Sequence, residues 1–204
     1  MRKAILEQAS LNPNFIGSWV LEDTSICDDL IRYFEGNKEK QRLGETLGGE
    51  NTDIKNSTDI SLLPHEISEP GNEVFVQYFD DLFECYKDYC EQWPFLMTFA
   101  GELNIGEFNI QRYESGQHFQ VVHTERSSIN SLHRIFAWMT YLNDVDERQG
   151  GSTIFSHYDL KIQPNKGLTL IWPAEWTHAH KGSVLIGGSK YIITGWMHFP
   201  HRSA

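Results

Sequence analysis

The sequence predicts an α+β fold in which helices pack on a double-sheet β barrel or sandwich. Two observations carry that expectation. Aromatic residues recur at three- and four-residue steps through residues 72–93, and after Phe95 the chain changes to short runs of β-branched and aromatic residues punctuated by Gly, Asn, Asp and Pro. Bulk composition adds a third: 204 residues, 40% hydrophobic and 13% aromatic, suffice for one sizeable core and are short for two. One domain over 1–204 is therefore expected, with a helical and loop-rich region to about residue 97 and a β core over about 98–200.

Near the start, Ile26, Leu30, Ile31 and Phe34 recur at helical spacing behind Asp23 or Thr24 as cap, and Gly36 with Asn37 closes that helix. Residues 36–72 are polar and broken by Gly44, Gly48, Gly49, Pro64 and Pro70. Only "IKNSTDISLL" alternates there, which predicts a long excursion holding one strand. The stretch "NEVFVQYFDDLFECYKDYCEQW" sets Val74, Phe75, Tyr78, Phe79, Leu82, Phe83, Tyr86 and Cys90 along one helical face, as core packing against a sheet. Strands are then expected in "FNIQRY", "HFQVVHTE", "RIFAWMTYLNDV", "STIFSH", "GLTLIWP", "SVLIGG" and "KYIITGWMHF".

Charge narrows the function classes. A net charge of −11 and a pI near 5.2 oppose a general nucleic-acid or anionic-membrane surface, because like charges repel at long range. Cys27, Cys85 and Cys90 are odd in number and lack metal-ligand spacing, and the N-terminus does not read as a secretory leader, so a reducing cytoplasm is expected. No run of 18 apolar residues exists, so no membrane span is expected.

Chemistry concentrates in "YESGQHFQVVHTERSS". Side chains alternate across a strand, so Phe119, Val121, His123 and Glu125 share a face if the strand runs that far. His178 and His180 are likewise two apart, and one of them can complete a three-residue set. Two imidazoles and one carboxylate suit a divalent first-row metal while leaving positions open for other ligands. Iron of a non-haem oxygenase and zinc of a hydrolase both accept such donors. Lys190 lies ten residues after His180 and shares a strand face with Ile192, Thr194 and Trp196. A lysine pointing into an apolar barrel is costly unless an anion pairs with it, and the far carboxylate of a metal-chelating keto acid is such an anion.

Taken in order, "YESGQHFQVVHTE", "YLNDV" with "GGSTIF", "WPAEWTHAHKG" and "GGSKYIITGW" resemble the 2-oxoglutarate and Fe(II)-dependent dioxygenases, in their prolyl 4-hydroxylase-like branch, over Phe108 to Trp196. The resemblance implies a double-stranded β-helix core (jelly-roll, cupin-like) with N-terminal helices packed on one sheet. It implies His123, Glu125 and His180 as iron ligands, since His180 precedes Gly182 and Lys190 at the family's offsets and His178 does not. Lys190 would bind the C5 carboxylate of 2-oxoglutarate, Tyr113 would hydrogen-bond the same cosubstrate, and Gly150 and Gly151 would be turn residues. Glu125 departs from the family's usual Asp: one more methylene changes reach without changing donor type or charge, and a carboxylate here opposes halogenation. Fe(II), 2-oxoglutarate and O2 are the implied cofactor and cosubstrates, with ascorbate as an accessory reductant.

The implied reaction is hydroxylation of a prolyl residue in a peptide or protein. A free amino acid or other small metabolite is the alternative substrate, and a metal-containing sensing or binding module with little turnover is the alternative class. A zinc hydrolase is disfavoured by the lack of an obvious general base, and a nucleic-acid demethylase by the acidic balance. Lys55, Asn56 and Ser57 in the excursion, Arg126 after the ligand pair and Trp138 on a central strand are candidate substrate contacts. His65, His118, His133, His157, His198 and His201 are expected to be ordinary surface or core histidines.

Overall fold

A computed structural model describes residues 1–4, 13–46 and 48–200; His201 lies outside them. In chain order the N-terminal part holds β1 (Arg2–Lys3), β2 (Gly17–Val20) and α1 (Ser25–Gly36). The excursion follows with β3 (Arg42–Leu43), β4 (Glu45–Thr46), β5 (Gly49–Glu50), β6 (Lys55–Asn56) and β7 (Thr58–Leu62). Next come α2 (Glu73–Gln92) and α3 (Phe95–Phe99), then β8 (Asn104–Glu114), β9 (His118–His123) and β10 (Arg134–Tyr141). The chain continues through β11 (Thr153–Phe155), β12 (Leu160–Ile162), β13 (Leu168–Pro173), β14 (His180–Gly182) and β15 (Ser189–His198).

Two large antiparallel sheets and a separate two-stranded β4-β5 ribbon form among the described residues, a mostly-sheet, jelly-roll-like arrangement with few helices. The major sheet runs β1-β2-β13-β10-β15-β8-β7-β3 and the minor sheet β12-β11-β14-β9-β6. Period-two alternation gives each central strand of the major sheet two destinations. On β15, Ile193 and Met197 join the apolar core beneath the helices, while Lys190, Ile192, Thr194 and Trp196 line a cavity. On β8, Phe108 and Ile110 face that core, and Glu107, Asn109, Gln111 and Tyr113 line the same cavity.

The helices cover the core side. Helix α1 buries Ile26, Cys27, Leu30 and Phe34, and Asp23 Oδ1 accepts from the Ser25 N–H at 2.8 Å just before its first turn. Helix α2 buries Phe75, Tyr78, Leu82, Cys85, Tyr86, Tyr89 and Cys90. Phe83, expected on that face, is 58% exposed, and Tyr89 and Cys85 take the buried places instead. The aromatic stripe packs edge-to-face: Phe79 lies 4.9 Å from Phe108 and 5.7 Å from Trp138. Tyr78 and Thr140 hydroxyls bond at 2.8 Å, and Thr140 bonds Thr169 at the same distance, so these three buried hydroxyls between helix and sheet are satisfied. At Gly195 a Cβ would stand 2.8 Å from the Trp138 ring, so only glycine lets β15 pass that indole.

Three expectations need correction. The excursion holds five short strands among its described residues, and it feeds both sheets: β6 pairs with β9, β7 pairs with β8, and Ser57 is the crossing residue. The run "SVLIGG" is a loop rather than a strand. Its Leu185 N–H donates to Gln117 O and its carbonyl accepts from Gly116 N–H, so its backbone bonds close on a turn. Strand β9 stops at His123, before Glu125, and Val121 and Val122 are both exposed. Among the described residues no helix is long and apolar enough to cross a membrane. Cys27, Cys85 and Cys90 are free and buried.

Candidate metal and cosubstrate site

Antiparallel pairing of β14 with β9 sets His180 directly opposite His123, with ring centroids 4.5 Å apart. Glu125 enters from the bend that follows β9. Its Oε1 lies 3.3 Å from His180 Nε2 and 3.8 Å from His123 Nε2, and one ligating atom from each residue falls within 4.8 Å of the others. Both rings turn their other nitrogen to the backbone: His123 Nδ1 sits 2.9 Å from Val121 O, and His180 Nδ1 2.9 Å from His178 O. A carbonyl can only accept, so each Nδ1 carries the proton and each Nε2 presents its lone pair. Phe119 stacks on His123 at 3.8 Å and fixes the ring plane.

Electrostatics favour the ligating forms. Burial, followed by the neighbouring His180, pushes the His123 imidazole down to about 4, so it is neutral at pH 7. Burial alone would raise the Glu125 carboxyl; the adjoining His180 and His123 imidazoles and the Trp196 indole outweigh it and hold Glu125 at about 2. Two neutral nitrogens and a carboxylate on one side of a cavity are a donor set that fits a divalent metal with positions left open. Trp196 Nε1 donates to Glu125 Oε2 at 2.7 Å.

His178 does something else. Its Nε2 meets Asn14 O at 2.8 Å and its Nδ1 meets the Thr177 hydroxyl at 3.0 Å, so both nitrogens are occupied by protein.

The cavity, about 600 Å³, is lined from both sheets by His123, Glu125, His180, Tyr113 and Lys190 together. Register pairs Lys190 with Tyr113 across β15 and β8. The Lys190 ammonium stands 4.3 Å from the Tyr113 ring centroid and donates to Gly151 O at 3.1 Å. Among the described residues no carboxylate partners it, and burial pulls its pKa down to about 8. The Tyr113 hydroxyl donates to Gln111 Oε1 at 2.8 Å. Gly150 and Gly151 adopt φ of 74° and 73°, the left-handed turn that places the Gly151 carbonyl over Lys190.

The expected substrate contacts fare differently. Lys55 is 4% exposed and ion-paired with Asp59 at 2.5 Å; it lines the cavity wall but its charge is already matched. Ser57 is fully buried and donates to Asp59 Oδ1 at 2.8 Å, which removes it from contact with a substrate. Asn56 accepts from Gln117 Nε2 at 3.1 Å, bracing β6. Arg126 pairs with Glu175 and does not line the cavity. Trp138 is wholly buried against α2, because its position on β10 has the parity of the helix-facing side. Sequence reasoning missed Arg134, Gln111 and Asp59, which line the cavity. For Gln111 the signal was available: it stands two residues before Tyr113, on the same strand face.

The model of the 2OG-Fe(II) oxygenase superfamily matches residues 108–198. The probable prolyl 4-hydroxylase 9 of Arabidopsis thaliana is 31% identical over 116 residues, a segment that is 44% of this chain and 40% of that protein's length. Among solved structures, a prolyl-4-hydroxylase of Pseudomonas putida aligns with TM-score 0.70 at 15% identity, over 94% of this chain and 96% of its own. The viral collagen prolyl hydroxylase of Paramecium Bursaria Chlorella virus-1, solved with 2OG, aligns with TM-score 0.66 at 17% identity, over 93% and 98%. A Trichoplax adhaerens prolyl hydroxylase, solved with a peptide fragment of the hypoxia inducible factor oxygen degradation domain, aligns with TM-score 0.71 at 15% identity, over 93% and 86%. Over residues 108–198 this chain is therefore similar to the 2OG-Fe(II) oxygenase superfamily, and the relatives it resembles are prolyl hydroxylases.

Proposed function

We propose that the chain is a 2-oxoglutarate-dependent dioxygenase that hydroxylates a C–H bond of a prolyl residue in a peptide or protein. The observation that carries the reading is the shared cavity: a His–Glu–His donor set and a buried lysine that has no carboxylate partner among the described residues line one space between the two sheets. His123, Glu125 and His180 would hold Fe(II). When bound, the ferrous ion supplies dioxygen activation, coupled to oxidative decarboxylation of 2-oxoglutarate to succinate and CO2. Lys190 supplies the cation for the C5 carboxylate at the buried end, and the Tyr113 ring beneath its ammonium keeps that charge aimed into the cavity. Ile192, Met139 and Trp172, also in the lining, exclude water from the wall between the two ends. In this reading 1–204 acts as one domain: a double-stranded β-helix core with the helices of its N-terminal part packed on one sheet, and the excursion from Arg42 to Lys55 forming a wall of the substrate mouth.

Prolyl peptides are favoured because the named relatives are prolyl hydroxylases and because the mouth takes residues from both sheets and the excursion. The test is turnover of Fe(II)-loaded protein with 2-oxoglutarate, O2 and a panel of proline-containing peptides beside free proline. A peptide gaining one oxygen on proline, with one succinate formed per hydroxylation, is the expected result. Hydroxylation of free proline alone would overturn the peptide assignment, and no succinate with any substrate would overturn the activity.

A further inference from the structure

Glu125 is gripped from two directions by residues outside the donor set. Strand β9 ends at His123, so no ladder hydrogen bonds fix the backbone of Glu125, which lies in a bend. Its carbonyl oxygen accepts from Arg134 Nη1 at 3.1 Å. The same guanidinium lies 3.5 Å from the Trp196 ring centroid, and Trp196 Nε1 donates to Glu125 Oε2 at 2.7 Å. The contacts close a ring: Glu125 main chain, Arg134, Trp196, Glu125 carboxylate. Arg134 begins β10 and Trp196 lies on β15, so two adjacent strands of the major sheet supply what β9 lacks.

A glutamate has one more rotatable bond than an aspartate, and therefore more side-chain conformers to exclude before it can ligate. A carboxylate with both oxygens free could also chelate through both, taking a position that a cosubstrate needs. Here Oε2 is engaged by the indole N–H while Oε1 faces both imidazoles. We propose that Trp196 and Arg134 are positioning residues that commit Glu125 to metal ligation through Oε1 alone. The proposal rests on the metal centre proposed above.

The test is titration of Co(II) into metal-free protein, following the dissociation constant and the visible absorption band, which reports the coordination mode without turnover. Trp196→Phe keeps a ring for Arg134 and removes the N–H. It is expected to weaken Co(II) binding about tenfold, the lower end of what outer-shell partners contribute, and to shift the band. In a Glu125→Asp background the shorter carboxylate cannot serve both the metal and the indole, so adding Trp196→Phe should change the dissociation constant by less than about twofold. Equal losses in both backgrounds, or an unchanged affinity and band in Trp196→Phe, would overturn the proposal. Arg134→Lys keeps the charge and loses the planar stack, so it decides the matter independently if Trp196→Phe does not fold: about threefold weaker binding with the same band shift supports the ring, and wild-type behaviour overturns it. Failure of the wild-type protein itself to take Co(II) would overturn the metal centre and the ring together, and is recognised without any variant.

Discussion

His178 and His180 are separated by one residue and are both nearly inaccessible, at 3% and 7%, yet only one of them has a nitrogen to spare. His178 is bonded through both nitrogens to Asn14 O and the Thr177 hydroxyl, whereas His180 uses Nδ1 on a carbonyl and turns Nε2 to Glu125. Under anaerobic conditions, the weak visible charge-transfer band of the Fe(II) and 2-oxoglutarate complex is therefore expected to vanish in His180→Ala and to persist in His178→Ala; the reverse pattern would exchange their roles. Lys190 carries a pH dependence of its own. Burial lowers its pKa to about 8, so above that value the amine is neutral in the folded protein while the unfolded chain still binds the proton. Ligand-free stability contributed by this group therefore rises with pH from about 8 to the ordinary lysine value. Binding of an anionic C5 carboxylate needs the opposite, protonated form. The dissociation constant for 2-oxoglutarate should be flat below about pH 8 and rise toward tenfold per pH unit above it, with Lys190→Arg removing the slope. A wild-type affinity that stays constant to pH 9.5 would show that Lys190 is not the anion's partner.

Strands and helices were legible where period and length agreed. The stripe of α2 and the even spacing of Lys190, Ile192, Thr194 and Trp196 emerge in the structure as the core face and the cavity face that alternation demands. Illegible parts depend on long-range pairing. Nothing in "VVHTE" says that β9 stops before Glu125, because its ladder ends where its partner β14 begins, at the His123–His180 pair, and both valines are left in solvent. Phe83 was misplaced because a 20-residue helix wider in apolar content than its contact surface must leave some apolar residue outside. The excursion shows the same limit: from the sequence Lys55 and Ser57 are candidate substrate contacts and Asp59 has no assigned role, but β6 and β7 lie in different sheets, and the crossing buries all three. Lys55 also donates to Glu45 O at 3.3 Å, and a Cβ on Gly44 would stand 2.9 Å from the Lys55 side chain, so the ion pair is roofed by the segment around β4. Removing one partner leaves the other buried and unmatched, so Lys55→Met is expected to cost about 3–5 kcal/mol in denaturant unfolding, and Lys55→Met with Asp59→Leu to recover most of that loss. A double variant no more stable than the single would show that the pair is held by its surroundings rather than by its charges.

Across the molecule the two sheets do different work. The major sheet is backed on one side by α1 and α2 and is apolar there, while its other side and the minor sheet enclose the cavity. His123 and His180 belong to the minor sheet, Lys190 and Tyr113 to the major one, and Glu125 is attached to the minor sheet through the chain and to the major sheet through Trp196 and Arg134. A metal and a dianionic cosubstrate filling this space would connect both sheets, so their binding energy should appear as global stability rather than as local ordering of one loop. At a hundredfold excess over the dissociation constant, linkage gives about 2.7 kcal/mol per ligand. For a chain of this size that corresponds to a rise in melting temperature of about 5–10 °C. The metal is expected to raise it alone, and 2-oxoglutarate to raise it further only when the metal is present. Lys190→Ala should keep the metal's increment and lose most of the cosubstrate's, whereas His180→Ala should lose both. Thermal melts of wild type and both variants under nitrogen decide it: an equal shift by 2-oxoglutarate with and without metal would place the acid outside the site between the sheets.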